Sequence, residues 1–295
     1  MKLDAPPTVT VIIATYNKEQ TLQYAIESVL WQTFTDFECW VIGDGCTDKS
    51  KEVVAGVADP RIHWFNLPQN SGYQSAPTNE GLRRARGIYI AYLNDDDIWL
   101  PNHLQTLVEG MEKFEVDFAY TIMEWIRSEK YRVVDIPNYP NALQPPEATA
   151  TMHRRGIIDE IGYWKEPDEV QAIPRVEYFR RAQFLNHSFQ LVPTLTAIKF
   201  GHKGAPYGQV TLQDKYVAKI RNDEAFVEKE LAKLLIAATH KIEGPLALDQ
   251  IKRQLSHSLR LMMIKRKIDP GRILFWKRSG QRISEWRKSL GLDTS

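Results

Sequence analysis

Residues 9–17 read VTVIIATYN, a run of β-branched and apolar residues that closes on a polar turn. Such a run is typical of a buried strand. Apolar side chains then recur at helical spacing within residues 18–31: Leu22, Ala25, Ile26, Val29 and Leu30. The pattern predicts a strand followed directly by a helix.

The same alternation occurs four times in the first part of the chain. It predicts strands at 9–16, 37–42, 61–67 and 88–93 and helices at 18–31, 47–57, 75–86 and 101–114. Regular strand-helix alternation favours a doubly wound, mostly parallel sheet with helices on both faces. Beyond residue 114 the pattern predicts strands at 117–125 and 130–136, a Pro-rich lid or binding loop at 138–150, and an extended segment at 190–200. It also predicts a helix at 175–184 and mostly helix from 214 onward.

The composition excludes several classes of protein. The 295 residues include 38 Lys plus Arg and 37 Asp plus Glu, and 43% are hydrophobic, which excludes a disordered chain, collagen and a coiled coil. Cys39 and Cys46 form no CxxC or Cys/His pattern, so neither a disulfide framework nor a structural zinc site is expected. With neither a signal-like segment nor a 20-residue apolar stretch, we expect a cytoplasmic protein.

Charge is concentrated at the end of the chain. Residues 241–295 carry a net charge of +8 and the rest of the chain −7. Segments 258–267 and 273–278 mix apolar and cationic residues, which suits helices lying on an anionic membrane at its inner face. The alternative is that these helices pack their apolar side on the domain. Nucleic acid binding is not expected, because no recognised motif accompanies the charge.

Polar residues follow every predicted strand of the first half, at 15–17, 43–45, 70–72 and 94–97. Ligands of such sheets lie beyond the carboxyl ends of the strands. Tyr16 could stack on a nucleobase, and Asp44 could accept a hydrogen bond from a base or ribose. Each could instead be a rim aromatic or a turn residue. The sequence has neither a GxGxxG nor a P-loop motif at these positions.

Asp95, Asp96 and Asp97 form the strongest local feature. Adjacent carboxylates repel one another unless a cation joins them, and oxygen ligands of this kind suit Mg²⁺ or Mn²⁺ holding a diphosphate. The alternatives are a solvated loop, or a helix cap formed by Asp97 or Asn102.

The ordered set of these motifs resembles family 2 glycosyltransferases of the GT-A fold. The resemblance covers about residues 8–125, and 152–155 resemble the segment that opens the acceptor half. It implies an inverting, metal-dependent enzyme that moves a hexose or N-acetylhexosamine from a nucleotide-sugar, expected to be UDP-linked, to a glycan or glycolipid. It further implies nucleotide-binding residues and a Mn²⁺ or Mg²⁺ site that includes Asp96, with Asp97 as a second ligand. The nucleotide-binding set is Thr15, Tyr16, Asn17, Glu19, Asp44, Asn70 and Asp95.

Three departures from the family pattern matter. Thr78 stands before Asn79 where the family often has arginine, and Gly43 replaces the first of two acidic residues. Pro174 occupies the usual position of the carboxylate that deprotonates the acceptor. Three other carboxylates remain open as substitutes: Asp168, Glu169 and Glu177. Alternatively, Glu177 could pair with a nearby arginine on its own helix.

The expected organisation has three parts. Residues 1–98 form the nucleotide-sugar-binding half, 99–212 the acceptor-binding half, and 213–295 a helical, basic C-terminal extension. Because Pro174 replaces the usual base, a catalytically inactive nucleotide-sugar-binding or scaffold protein is the alternative. A nucleotidyltransferase is disfavoured, since its Gly-rich, cationic first loop is missing after Ala14. His153 could contact a phosphate or the acceptor, or could be a rim residue.

Overall fold

The computed structural model describes residues 5–128, 131–135, 145–170, 173–201, 210–223 and 225–233. Within these ranges one nine-stranded sheet is flanked by helices. The strands are β1 (Val9–Thr15), β2 (Phe37–Gly43), β3 (Ile62–Asn66), β4 (Tyr89–Asn94), β5 (Ile98–Trp99), β6 (Phe118–Ser128), β7 (Tyr131–Asp135), β8 (Thr151–Arg154) and β9 (Phe189–Phe200). The helices are α1 (Glu19–Leu30), α2 (Ser50–Gly56), α3 (Ser75–Arg84), α4 (His103–Phe114), α5 (Ile158–Ile161), α6 (Pro174–Phe184) and α7 (Val210–Asn222).

The strand order is β3-β2-β1-β4-β8-β6-β9-β5, and β7 pairs with β6 off this path. The first four strands pair in parallel, as the sequence predicts. Beyond β4 the sheet is mixed, because β8 is antiparallel to both β4 and β6, whereas β6 and β9 are parallel. The doubly wound α/β fold is therefore confirmed, and antiparallel strands complete its second half.

Both faces of the sheet are covered, because alternate residues of the buried strands serve two cores. Val9, Val11 and Ile13 of β1 pack with apolar residues of α1 and α4. Ile12 points to the opposite face and packs with Leu82 of α3 and with residues of α5 and α6. This arrangement explains why the strands read as continuous apolar runs in the sequence.

Two predicted boundaries differ from the observed elements. The boundary at residue 98 falls inside β5, which pairs with β9, and the boundary at 212 falls inside α7. Strands β5 and β8, of two and four residues, are too short to produce a recognisable pattern in the sequence. Of the predicted loop at 138–150, residues 145–150 are described and end in a helical turn, Ala148–Ala150. The basic tail at 241–295 lies outside the described residues.

No helix in the described part of the chain is long and apolar enough to cross a membrane. Helix α7 is amphipathic and packs on α1. Buried Leu212, Tyr216 and Val217 of α7 join a third apolar cluster with Tyr24 of α1. Polar contacts reinforce this packing, since Arg221 pairs with Glu27 across the two helices.

Candidate active site

A cavity of about 380 Å³ opens at the carboxyl ends of β1, β2 and β4. It lies where a parallel α/β sheet ordinarily binds its ligand. The predicted positions Thr15, Tyr16, Asp44, Asn70, Asp95 and Asp96 line it, together with Ala14, Lys18, Gly72, Tyr73, Gln74, Pro77 and Asn94. Chain topology has therefore gathered six of the predicted binding residues around one cavity.

Two residues of this wall differ in how far they are exposed to the cavity. Tyr16 is 43% exposed, so an aromatic face stands at the cavity mouth. Asn70 lines the same wall, but its Oδ1 is buried and has no hydrogen-bond partner among the described residues. Tyr16 is therefore the more accessible of the two.

Asp44 holds the loop after β3 in place. Its carboxylate accepts hydrogen bonds from the backbone N–H and the hydroxyl of Ser71, both at 3.0 Å. Gly45, at φ +69°, packs against this loop so closely that a Cβ would lie 2.4 Å from the amide nitrogen of Asn70. The glycine beside Asp44 therefore permits two strand-end loops to meet at the cavity.

Asn17 and Glu19 were predicted to bind nucleotide, but they lie outside the lining of this cavity. Asn17 Oδ1 accepts from the backbone N–H of Thr47 at 2.8 Å, and Glu19 Oε2 accepts from that of Lys49 at 2.9 Å. Both side chains contact the loop after β2. They line a second cavity, which shares Lys18 with the first.

The acidic turn after β4, residues 95–97, has two parts that differ in their surroundings. Asp95 and Asp96 line the cavity, and burial together with the neighbouring Asp96 raises the pKa of Asp95 to about 7. Lys18 opposes this rise, with its ammonium 4.0 Å from Asp96. Repulsion between two adjacent carboxylates favours the binding of an additional cation beside them.

Asp97, which the resemblance implies as a second metal ligand, does not line the cavity. Its fully buried carboxylate accepts hydrogen bonds from Asn94 Nδ2 and Thr149 Oγ1, both at 2.7 Å. Lys199 lies 3.7 Å away. The nearby Thr149 and Lys199 belong to remote segments, so the sequence could not indicate which way this carboxylate turns.

Lys199 joins Asp97 to a second carboxylate. Its ammonium lies 3.4 Å from Glu147, and Glu147 also pairs with Arg175 at 2.7 Å. The two carboxylates raise the pKa of Lys199 to about 12 against the opposing effect of burial. Arg175 and Lys199 lower the pKa of Glu147, and burial opposes them. Alternating charges therefore run from the acidic turn to the start of α6.

The donor set suits a divalent cation bound together with substrate. Among the described residues no group of three or more His, Cys, Asp or Glu side chains could hold a metal ion by itself. Mg²⁺ is commonly held by one or two carboxylates plus the phosphates of a substrate. Asp96 and Asp95, side by side on the cavity wall, fit that pattern.

None of the three candidate bases is among the lining residues of the cavity. Asp168 and Glu169 are exposed, and Glu169 accepts a hydrogen bond from the backbone N–H of Glu166. Glu177 pairs with Arg181 at 3.0 Å, the i,i+4 arrangement expected as its alternative, and with Lys165 at 3.5 Å. Pro174 is the first residue of α6, where its missing N–H costs little.

His153 is a core residue, whereas the sequence left open a contact with phosphate or acceptor and a rim position. It is fully buried, with Nε2 2.7 Å from the Tyr92 hydroxyl and Nδ1 2.8 Å from the Arg154 carbonyl. Burial lowers its pKa to about 4. The imidazole is therefore neutral and satisfied at neutral pH.

Residues 10–168 match the family described as Glycosyl transferase family 2, and the chain belongs to this family. This match covers more than half of the chain. The membership and the GT-A fold expected from the strand-end motifs are thereby confirmed.

Curated relatives match about half of the chain or less. The UDP-Glc:alpha-D-GlcNAc-diphosphoundecaprenol beta-1,3-glucosyltransferase WfgD of Escherichia coli is 34% identical over 120 residues, which is 41% of this chain and 47% of that protein. The putative colanic acid biosynthesis glycosyl transferase WcaA of E. coli K12 is 29% identical over 163 residues, 54% of this chain and 57% of that protein. The chain spans about half the length of these two relatives.

Solved structures agree in fold over most of the chain. S. aureus TarS in complex with UDP-GlcNAc superposes with a TM-score of 0.57 at 17% identity, covering 87% of this chain and 81% of that one. The mannosyltransferase PcManGT of Pyrobaculum calidifontis, in complex with GDP-Man and Mn²⁺, gives 0.54 at 14% identity, covering 98% and 89%. At these identities the likeness shows the fold alone.

Sequence reasoning missed two cations of the site, Lys18 and Lys199. Lys18 follows the Thr15–Asn17 turn directly, so its position after a strand end could have indicated a cavity residue. Lys199 lies in an extended segment without any local signal. Only the pairing of β9 with β6 and β5 brings it near the acidic turn.

Proposed function

We propose that the chain is a metal-dependent, inverting glycosyltransferase that moves a sugar from a nucleoside diphosphate donor, a UDP-sugar, to a hydroxyl of a glycan or glycolipid. The observation that carries the proposal is the single cavity that gathers Tyr16, Asp44, Asn70, Asp95 and Asp96. It offers an aromatic face, the carboxylate of Asp44 and an acidic pair, which are the groups that a base, a ribose and a cation-bound diphosphate require.

The relatives support a UDP-sugar and a lipid-linked acceptor. WfgD is named for UDP-Glc and a diphosphoundecaprenol acceptor, and TarS is in complex with UDP-GlcNAc. The colanic acid relative supports a place in polysaccharide biosynthesis. We assign residues before β5 to donor binding and the strands beyond it to acceptor binding.

In this proposal Asp96 holds Mn²⁺ or Mg²⁺, with Asp95 beside it toward the ribose or diphosphate. The cation, when bound, neutralises charge that develops on the departing diphosphate. Tyr16 and Asp44 orient the nucleotide, with Asn70 beside them on the cavity wall. Holding donor and acceptor in one geometry removes much of the entropic barrier to transfer.

A carboxylate must take the proton from the attacking hydroxyl, and Asp168, Glu169 and Glu177 are the proposed candidates. Each should be replaced by its amide, and kcat and UDP affinity should both be measured. The base is the residue whose amide loses about 10²-fold or more in kcat while UDP still binds normally. The ion pairs of Glu177 make its amide a test of fold as well, so its melting temperature should be recorded.

Calorimetric titration with UDP, GDP and dTDP, each with and without Mn²⁺, tests the donor assignment before any acceptor is known. Metal-dependent binding of UDP in preference to the other two supports the proposal. Absence of binding by all three would contradict the catalytic assignment and leave only the fold.

The alternative function is a nucleotide-sugar-binding or scaffold protein without catalysis. Pro174 at the start of α6 favours it, since no carboxylate stands at the usual position of the base. It predicts UDP binding together with an absence of transfer to any of a broad acceptor panel. Turnover with one acceptor would eliminate it.

Membrane contact is proposed from charge. Residues 241–295 carry +8, and a lipid-linked acceptor would be presented at an anionic surface. Co-sedimentation of the full chain with vesicles containing phosphatidylglycerol should be salt-sensitive and should be lost when residues 255–295 are removed. Equal sedimentation with neutral vesicles would contradict a peripheral position at the inner face of the membrane.

A further inference from the structure

The candidate cavity has an unusual balance of charge. Three carboxylates line it, those of Asp44, Asp95 and Asp96, and Lys18 is the one cationic residue among the described lining residues. Lys18 is also close to the acidic pair, with its ammonium 4.0 Å from Asp96. A diphosphate that enters the cavity therefore meets Lys18 as its protein-borne cation.

Lys18 points toward the acidic pair. Its ammonium is 4.0 Å from Asp96 Oδ2, and the side chain is only 12% exposed although it belongs to a cavity wall. A partly buried lysine beside two carboxylates compensates their charge. In the protein without donor, Lys18 thus occupies the electrostatic role that a divalent cation would take.

The main chain at Lys18 is fixed from both sides. Asn17 adopts φ +50°, and its carboxamide accepts hydrogen bonds from the N–H groups of Thr47 and Asp48. The N–H of Glu19 donates to Asp48 Oδ2 at 3.0 Å. Because the backbone is anchored to the loop after β2, movement at this position is confined to the four-carbon side chain of the lysine.

We propose that Lys18 is a tethered cation that pairs with Asp96 in the donor-free protein and transfers to the diphosphate when the donor binds. Asp96 is then released to hold the divalent cation. This inference rests on the proposed function and adds a diphosphate-binding residue to it. The reach of a lysine side chain and its three donors suit a ligand that moves between two anionic partners.

The exchange couples nucleotide and metal binding. Without donor, Lys18 competes with the metal for Asp96, so metal binds weakly. With donor present, the ammonium moves to the phosphates and the competition ends. By linkage, UDP must strengthen Mn²⁺ binding by the same factor by which Mn²⁺ strengthens UDP binding.

The test uses the full-length chain and the variants Lys18→Met, Lys18→Arg and Lys51→Met. Lys51 lines a separate cavity with Cys46 and Trp64 and serves as the matched control. Mn²⁺ binding is measured by electron paramagnetic resonance with and without UDP, and UDP binding by calorimetry with and without Mn²⁺. Melting temperatures confirm that each variant is folded.

In the absence of UDP, we expect Lys18→Met to bind Mn²⁺ at least about threefold more tightly than the wild type, because the competing ammonium is gone. In the absence of metal, it should bind UDP at least about tenfold more weakly, because a charge-assisted contact is lost. Lys18→Arg should retain most of the UDP affinity, and Lys51→Met should match the wild type. Unchanged Mn²⁺ and UDP affinities in Lys18→Met, with a wild type that binds both, would overturn this inference alone. A wild type that binds neither would overturn the proposed function and this inference together.

Discussion

The ammonium of Lys199 on β9 lies 3.7 Å from the fully buried carboxylate of Asp97. The same ammonium reaches Glu147, which Arg175 holds from the start of α6. One lysine thereby links the acidic turn after β4 to Glu147 and, through Glu147, to the start of α6. Together with the hydrogen bonds from Asn94 and Thr149, it compensates the buried carboxylate of Asp97.

Lys199→Met should therefore destabilise the protein by about 3 kcal/mol, because removing one partner leaves Asp97 buried and uncompensated. Lys199→Arg should recover part of the loss. Urea unfolding followed by circular dichroism measures both. The exposed Lys51→Met variant should change the free energy of unfolding by less than about 0.5 kcal/mol. An equally small change in Lys199→Met would show that Asp97 is compensated by its hydrogen bonds alone.

Asp96→Asn should abolish the effect of Mn²⁺ on UDP binding and reduce turnover by about 100-fold or more, since a bound cation supplies several kcal/mol of charge stabilisation. The melting temperature should change little, because Asp96 is partly exposed on the cavity wall. Exposed Glu52→Gln serves as the control for loss of one carboxylate. Retention of metal-dependent turnover in Asp96→Asn would refute the metal assignment.

Gly45→Ala should weaken UDP binding by about tenfold or more and destabilise the protein, because φ is +69° and the new Cβ would lie 2.4 Å from Asn70 N. Gly56→Ala is the matched control, since a Cβ at the end of α2 meets nothing within 4 Å. It should leave UDP binding unchanged and stability equal or slightly higher. Calorimetry and thermal unfolding of the two alanine variants separate a local requirement for glycine from a general effect.

Acid should destabilise the protein through its buried histidines. Burial lowers the pKa of His153 to about 4 and that of His103 to about 3, below the unfolded value of about 6.5. Below pH 6.5 these histidines are protonated in the unfolded chain but not in the folded chain. The free energy of unfolding therefore decreases as the pH is lowered, until the folded pKa is reached.

In the variant His153→Gln, the difference in bound protons between the unfolded and the folded state should be smaller by one. The slope of unfolding free energy against pH between about 6 and 4.5 should then decrease by about 1.4 kcal/mol per pH unit. Urea unfolding at several pH values gives this slope for both proteins. An identical slope in the variant would mean that His153 is protonated in the folded state.

The sequence predicted the elements that have a strong local signal. The apolar runs of β1, β2 and β4 and the helical spacing of α1 and α4 were recognisable because strands buried on both faces and amphipathic helices leave clear periodicity. The polar residues after those strands were predicted to meet, and six of them line one cavity.

What the sequence could not predict depends on contacts between distant segments. The four-residue strand β8 is too short for a periodic pattern, yet its insertion between β4 and β6 makes the sheet mixed. The buried carboxylate of Asp97 contacts Thr149 and Lys199, and Asn17 accepts a hydrogen bond from the backbone N–H of Thr47. Spacing along the chain carries no information about such partners.

The strand order divides the sheet into two parts that the chain builds in different ways. Everything from β3 across to β4 is built from residues 9–94 in one continuous stretch, whereas the strands beyond β4 interleave as β8, β6, β9 and β5. Within the sheet the two parts meet where β8 pairs with β4, through three residue pairs. A change in chain length between β6 and β9 therefore acts on the register of β8 and β9 and leaves the pairing of β1, β2 and β4 intact.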